Sequence, residues 1–257
     1  MDRFGFGVRA RGFLSFLFFF FMGLASSGSV KAEPLEGLTF SPTKDENHLK
    51  FEFRPDATKS SIVGYVAFPK GIGPFRTVIV NHSPNGNARQ VSYNYAPGFL
   101  DRGYAVIAAE LIYGAKAEES DWEEMFRRLS ACIDIIQHDE RLDGKKIFMF
   151  GNGAGAMVTL AYAAQTDKLQ AIGMTGGGLI PKDDVKYEKI AAPIILVHGA
   201  KDESVPLDAA MKLKANLERA GKTVEIKVFE NSGHEVITLK AGDVYDAIVA
   251  FFNKQTK

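Results

Sequence analysis

The feature that most constrains this chain is the stretch Ile147-Phe148-Met149-Phe150-Gly151-Asn152-Gly153-Ala154-Gly155. Four large apolar residues read as a strand buried on both faces. The run of small residues that begins at Ala154 reads as a helix, and only a glycine-rich turn separates the two. So tight a turn leaves no room for a side chain at Gly151 or Gly155, since either would strike a neighbouring strand or helix. The central residue, Gly153, is expected in strained backbone geometry, at a point where a side chain would face into a site.

On both sides of this turn, strands and helices alternate. Residues 61–68, 77–81, 104–109, 146–150, 171–174, 194–197 and 224–229 have the short, apolar, β-branched character of strands. Helices are expected at 96–102, stopped by Gly103, and after the capping box Ser120-Asp121-Trp122-Glu123. Further helices are expected at 154–165, between Pro206 and Gly221, and near the C-terminus, where Val244, Ile248, Phe251 and Phe252 share one face. Alternation of this kind predicts an α/β fold with a mostly parallel central sheet covered by helices on both faces. Sites in such sheets lie at the carboxyl ends of the strands. Cys132 falls in an apolar series of helical spacing and is expected to be a buried structural thiol. As the only cysteine of the chain, it excludes an intrachain disulfide.

The amino terminus has a different character. Arg3, Arg9 and Arg11 precede an apolar run over residues 13–25, and Val30-Lys31-Ala32 resembles a cleavage site. That order is the pattern of a secretory signal peptide. The apolar run is shorter than the roughly 20 residues that a spanning helix needs. The expectation is a signal peptide over 1–32 and a single domain over 33–257, secreted or periplasmic, with no stable membrane anchor. Beyond residue 32 the chain carries 27 basic and 30 acidic side chains, which argues against a nucleic-acid footprint. The remaining length suits one hydrophobic core, and no repeat or long linker interrupts it. No feature sets an oligomeric state.

Polar residues gather after three expected strands. The first strand leads into Gly151-Asn152-Gly153-Ala154-Gly155. The second leads into His198-Gly199-Ala200-Lys201-Asp202, which puts Asp202 49 residues past Gly153. The third leads into Asn231-Ser232-Gly233-His234, which puts His234 a further 32 residues on. The five histidines show no metal-ligand spacing such as H-E-x-x-H, so no metal and no other cofactor is expected.

In these motifs the chain resembles the α/β-hydrolase superfamily, in its dienelactone-hydrolase and prolyl-oligopeptidase-like branch, over roughly residues 50–255. The resemblance implies an α/β-hydrolase fold. Residues 150–156 match the family's G-x-S-x-G elbow except at its middle, where the family has serine or cysteine and this chain has Gly153. The order elbow, Asp, His is that of the α/β hydrolases. By resemblance, Asp202 accepts from the imidazole of His234, and His234 faces residue 153. His198 matches a position that is structural in the family.

The resemblance also implies an oxyanion hole. One donor is the backbone N–H of Ala154. The other comes from the loop Asn81-His82-Ser83-Pro84-Asn85-Gly86-Asn87. If Ser83 stands for the family's glycine, the next residue is Pro84, which has no N–H to donate. If one residue is deleted, Ser83 supplies the donor. His82 and Tyr113 are the candidate substrate contacts, and the loops 84–95 and 111–121 are expected to wall the pocket, bringing Tyr93 and Tyr95 with them.

Glycine at 153 closes the covalent route, because it has no nucleophile. Three functions are compatible with that. The first is a weakened or non-catalytic protein that binds a small ligand in the inherited pocket. The second is a hydrolase of an ester, lactone or other acyl substrate, using water activated by His234 and Asp202. The third is an interaction protein of the cell envelope. An open apolar pocket at residue 153 favours the first two, and a filled one favours the third.

Overall fold

The computed structural model describes residues 35–113, 121–178 and 185–256. The expected signal peptide lies outside the described residues, as does most of the loop 111–121.

Nine strands form one sheet: β1 (Leu38–Pro42), β2 (His48–Phe53), β3 (Ile62–Ala67), β4 (Phe75–Asn81), β5 (Ala105–Ala109), β6 (Leu142–Asn152), β7 (Leu169–Thr175), β8 (Ile194–Gly199) and β9 (Val224–Phe229). Their order across the sheet is β1-β2-β3-β5-β4-β6-β7-β8-β9. The pairs β1/β2, β2/β3 and β3/β5 are antiparallel, and every pair from β5/β4 to β8/β9 is parallel. All seven expected strands are present. β1 and β2 were not anticipated. β2 alternates Leu49, Phe51 and Phe53 with Lys50 and Glu52, the pattern of a strand covered on one face only.

Among the described residues, six α-helices cover the sheet: α1 (Ala88–Leu100), α2 (Trp122–His138), α3 (Ala154–Ala163), α4 (Leu207–Arg219), α5 (Val236–Leu239) and α6 (Ala241–Lys254). One apolar layer packs Met125, Leu129, Cys132 and Ile136 of α2, Leu160 of α3 and Leu213 and Leu217 of α4. The opposite layer packs Val91, Ala96 and Phe99 of α1 with Val244, Ile248, Phe251 and Phe252 of α6. The residues of β6 serve both layers in turn, Ile147 and Met149 on one side and Phe148 and Phe150 on the other. Cys132 is buried, and that burial pushes its thiol far above the usual range, which leaves it inert. Among the described residues, no helix is long and apolar enough to cross a membrane.

Two helix starts differ from expectation. α1 begins eight residues early, because Asn87 caps it by accepting from the Gln90 N–H at 2.8 Å. The Glu110 carboxylate takes the Ala88 N–H at 2.9 Å, and the helix runs on through Pro97. α2 is capped by Asp121, which accepts from the Glu124 N–H at 2.9 Å. The expected box placed the cap one residue earlier, at Ser120, which is outside the described residues.

The strand order reverses direction between β4 and β6, since β5 lies on one side of this pair and β7 on the other. That is the topological switch point, where the carboxyl ends of open α/β sheets form a crevice. Asn81 of β4 stands beside Gly151 of β6 in the register. The loop that follows β4 and the turn that follows β6 therefore share this crevice.

Candidate active site

Gly153 has φ 56° and ψ −120° and caps α3. The turn is as crowded as its glycines suggest. A Cβ on Gly151 would stand 2.2 Å from the Gly155 carbonyl oxygen, and one on Gly155 would stand 2.3 Å from that of Asn81. These partners are backbone atoms, which have no rotamer by which to move aside. The Asn81 side-chain amide also donates to Thr159 Oγ1 at 2.9 Å, which pins α3 to the end of β4.

The structure brings Asp202 and His234 together with Gly153. His234 Nδ1 lies 2.8 Å from Asp202 Oδ2. A Cβ on Gly153 would lie 3.3 Å from His234 Nε2. Because the carboxylate can only accept, neutral His234 carries its proton on Nδ1, and the Nε2 lone pair faces residue 153. Asp202 is held just as closely. Its Oδ1 accepts from the N–H groups of Ser204 at 2.9 Å and Val205 at 2.8 Å. Its side chain is fully buried, whereas that of His234 is 29 % exposed. His198 Nε2 bonds to the Val205 carbonyl at 2.8 Å and lies 3.5 Å from Asp202 Oδ2, so it braces the loop that holds the carboxylate.

Gly176 was not anticipated. It follows β7 with φ 55°, and a Cβ there would fall 2.9 Å from His234 Cε1 and 3.1 Å from Nδ1. The imidazole thus packs flush on this glycine. The sequence signal was the run Gly176-Gly177-Gly178 directly after a strand.

The β4 loop turns at Pro84. The Gly86 N–H donates to the Ser83 carbonyl at 2.9 Å, closing a turn with Pro84 at its second position, on the exposed side. Ser83 is the residue beside the elbow. Its Oγ donates to the Asn152 carbonyl at 3.3 Å and lies 4.0 Å from a Cβ on Gly153. The N–H of Ala154 is the first of α3 and so has no intrahelical acceptor.

His82 and Tyr113 are bonded to the loop that carries Ser83. His82 is buried, with Nδ1 donating to the Ser83 carbonyl at 2.9 Å and Nε2 accepting from the Leu111 N–H at 2.8 Å. Burial holds the His82 imidazole below its ordinary range, against the opposing pulls of the Ser83 carbonyl and Glu110. The Tyr113 hydroxyl donates to the His82 carbonyl, and burial pushes that hydroxyl's pKa far up. Both residues brace the loop that carries Ser83. Tyr93 and Tyr95 likewise lie within α1 and not in a pocket wall. Tyr93 stacks on His48 at 4.1 Å, and Tyr95 packs edge-on against Phe150 at 5.4 Å. Ser232 is buried in the turn after β9, where its carbonyl accepts from the Lys201 N–H.

A cavity of about 390 Å³ opens here. Gly153, Ala154 and His234 form one end, and Met157, Val205, Pro206 and Ala209 supply an apolar wall. The volume suits a small molecule.

Residues 62–251 match the Dienelactone hydrolase family. The chain belongs to this family. It is 23 % identical over 236 residues to a Methylorubrum extorquens protein provisionally assigned as a carboxymethylenebutenolidase, covering 82 % of this chain and 80 % of that one. A dienelactone hydrolase structure from Klebsiella pneumoniae, itself a provisional assignment, superposes with a TM-score of 0.67 at 22 % identity, over 80 % of this chain and 98 % of that one. A thermostable carboxyl esterase from Bacillus coagulans superposes with a TM-score of 0.65 at 15 % identity, over the same 80 % and 98 %. The fold is that of the α/β hydrolases, as the sequence motifs implied.

Proposed function

We propose that this chain binds a small ester, lactone or other acyl compound in the cavity beside Gly153, and that it hydrolyses such a compound weakly and without an acyl-enzyme. One observation carries this reading. Asp202 and His234 form an ordered pair, and the free nitrogen of that pair faces a glycine. Glycine at the elbow removes the attacking oxygen, while the base and its orienting carboxylate stay in place.

The chemistry left to these residues is general-base hydrolysis. His234 Nε2 takes a proton from a water at the Gly153 end of the cavity. The hydroxide oxygen attacks the acyl carbonyl, and Asp202 stabilises the imidazolium that forms. The Ala154 N–H, at the positive end of α3, receives the developing oxyanion, with the Ser83 hydroxyl beside it. The leaving oxygen takes the proton back from His234. General-base assistance of this kind contributes about 10²–10⁴-fold.

A second reading, a hydrolase running at full efficiency by the water route, draws support from the two amides that lock Asp202. The open, partly apolar cavity argues against a scaffold role. Turnover of small aryl esters and lactones, compared between the wild type and His234→Ala, tests both catalytic readings. A rate that falls to the buffer background in the variant is expected, and the size of the wild-type rate separates weak from efficient catalysis. Equal rates in the two proteins would leave ligand binding as the sole function.

The amino-terminal pattern supports export with cleavage after Ala32. Sequencing the amino terminus of protein recovered from a periplasmic or culture fraction is expected to begin at Glu33.

A further inference from the structure

The cavity beside Gly153 offers a polar partner to a short alcohol. A Cβ built on this glycine has as nearest neighbours His234 Nε2 at 3.3 Å, His234 Cε1 at 3.8 Å and Ser83 Oγ at 4.0 Å. All three are side-chain atoms. A carbon not bonded to Cα stands off by about 3.5–4 Å, farther than a bonded Cβ. Gly153 and His234 both line the cavity, so a carbon laid against the glycine from that side is in the cavity with the imidazole. The carbon then lies against Gly153, and its hydroxyl can donate to Nε2. A one- or two-carbon primary alcohol therefore supplies the carbon and oxygen that the glycine lacks. It does so without imposing a side chain on a backbone at φ 56°.

We propose that this site transfers acyl groups to short primary alcohols as well as to water. The proposal rests on His234 being the base of the site. The alcohol O–H gives its proton to His234 Nε2, and its oxygen forms a bond to the acyl carbonyl carbon. The tetrahedral adduct collapses with loss of the original C–O bond, and the leaving oxygen takes the proton from His234. An ester and an alcohol become a second ester and a second alcohol. No electrons change hands, and no further reactant is consumed. Water can fill the same place, but it has no carbon to lay against Gly153. Contact with that one methyl group favours methanol over water by about fourfold relative to free solution.

The test uses the wild-type protein, p-nitrophenyl butyrate and rising methanol, with methyl butyrate and butyric acid separated by chromatography. Free imidazole in the same solvent provides the control ratio of the two products. The expected ratio of ester to acid is about fourfold above that control. It saturates with methanol, persists with ethanol and falls to the control level with tert-butanol, whose carbinol carbon is screened from Gly153 by three methyl groups. Both products fall to background in His234→Ala. A ratio equal to the imidazole control, or equal performance by tert-butanol, overturns the transfer activity while leaving His234 as a hydrolytic base. If neither product forms above background in the wild type, both the transfer and the catalytic reading beneath it fall.

Discussion

Replacing Gly153 by serine returns a hydroxymethyl group to the elbow, and two opposing terms set its effect on stability. The backbone at φ 56° and ψ −120° disfavours any L side chain by on the order of 1–3 kcal/mol. The new Cβ meets His234 Nε2 at 3.3 Å, a tight contact that the partly exposed imidazole relieves by a small shift. Against this, a serine hydroxyl that donates to Nε2 returns about 1 kcal/mol. Set against the middle of the strain range, that leaves a net loss of about 1 kcal/mol, or a Tm lower by about 2–4 °C for a domain of this size. Calorimetry or a thermal melt of Gly153→Ser beside the wild type measures it. An unchanged or raised Tm would refute the strained-elbow argument.

The same variant has a kinetic arm. Serine at 153 completes a Ser-His-Asp arrangement with His234 and Asp202. General-base hydrolysis supplies about 10²–10⁴-fold, whereas a complete triad supplies about 10⁶ in kcat. The variant is therefore expected to turn over an aryl ester about 10²–10⁴ times faster than the wild type. A burst of phenol equal to the protein concentration marks the acyl-enzyme. A folded variant with neither gain nor burst would show that the lone pair of His234 does not serve residue 153.

Asp202→Asn leaves an oxygen for the Ser204 and Val205 amides but turns an NH₂ group toward His234 Nδ1. The imidazole then adopts the other tautomer, its lone pair leaves the cavity, and turnover in a folded protein is expected to fall by most of the about 10²–10⁴-fold that the base contributes. Gly176→Ala drives a methyl group to within 2.9 Å of His234 Cε1 at a residue with φ 55°. Displacement of the ring in the ¹⁵N spectrum and a loss of about 1–3 kcal/mol are expected, and an unmoved ring would contradict the packing described. His82, held below its ordinary pKa by burial, takes up a proton more readily in the unfolded chain. Its contribution to stability is intact above the unfolded value of 6.5 and is lost as the pH falls below it. Urea titrations at pH 7.5 and 5.5 are expected to show a smaller acid loss in His82→Gln than in the wild type.

What was legible in the sequence follows from what each signal reports. The central parallel strands β4 to β8 show as short apolar runs, and β3 and β9 keep enough β-branched and aromatic residues to be read as strands. β1 and β2 pair antiparallel at the edge of the sheet, so their signal is a two-residue alternation that competes with loop composition. α1 was read short, from residue 96, because its true start depends on Asn87 and on Glu110, a residue 22 positions away from Ala88. Asp202 and His234 were legible because position after a strand end locates a residue at one edge of the sheet. The same rule misled for His82 and Tyr113. It places them at the correct edge but cannot say whether a side chain points into the cavity or backs the loop. That choice is made by partners distant in sequence, such as the Leu111 amide on His82 Nε2.

The elbow also explains why fold and chemistry separate so cleanly in this chain. The outer glycines meet backbone atoms at 2.2 Å and 2.3 Å, so the turn between β6 and α3 forms only if those two positions lack side chains. The central residue has no such duty. Beyond its chain neighbours, the nearest atoms to a Cβ there belong to the side chains of His234 and Ser83, at 3.3 Å or more. Glycine at 153 therefore relieves backbone strain and leaves every contact that builds the elbow in place. The sheet, the capping of α3 and the pairing of Asp202 with His234 all form without a nucleophile. A sequence match governed by Gly151 and Gly155 thus reports the architecture, and the identity of residue 153 alone decides whether that architecture can form an acyl-enzyme there.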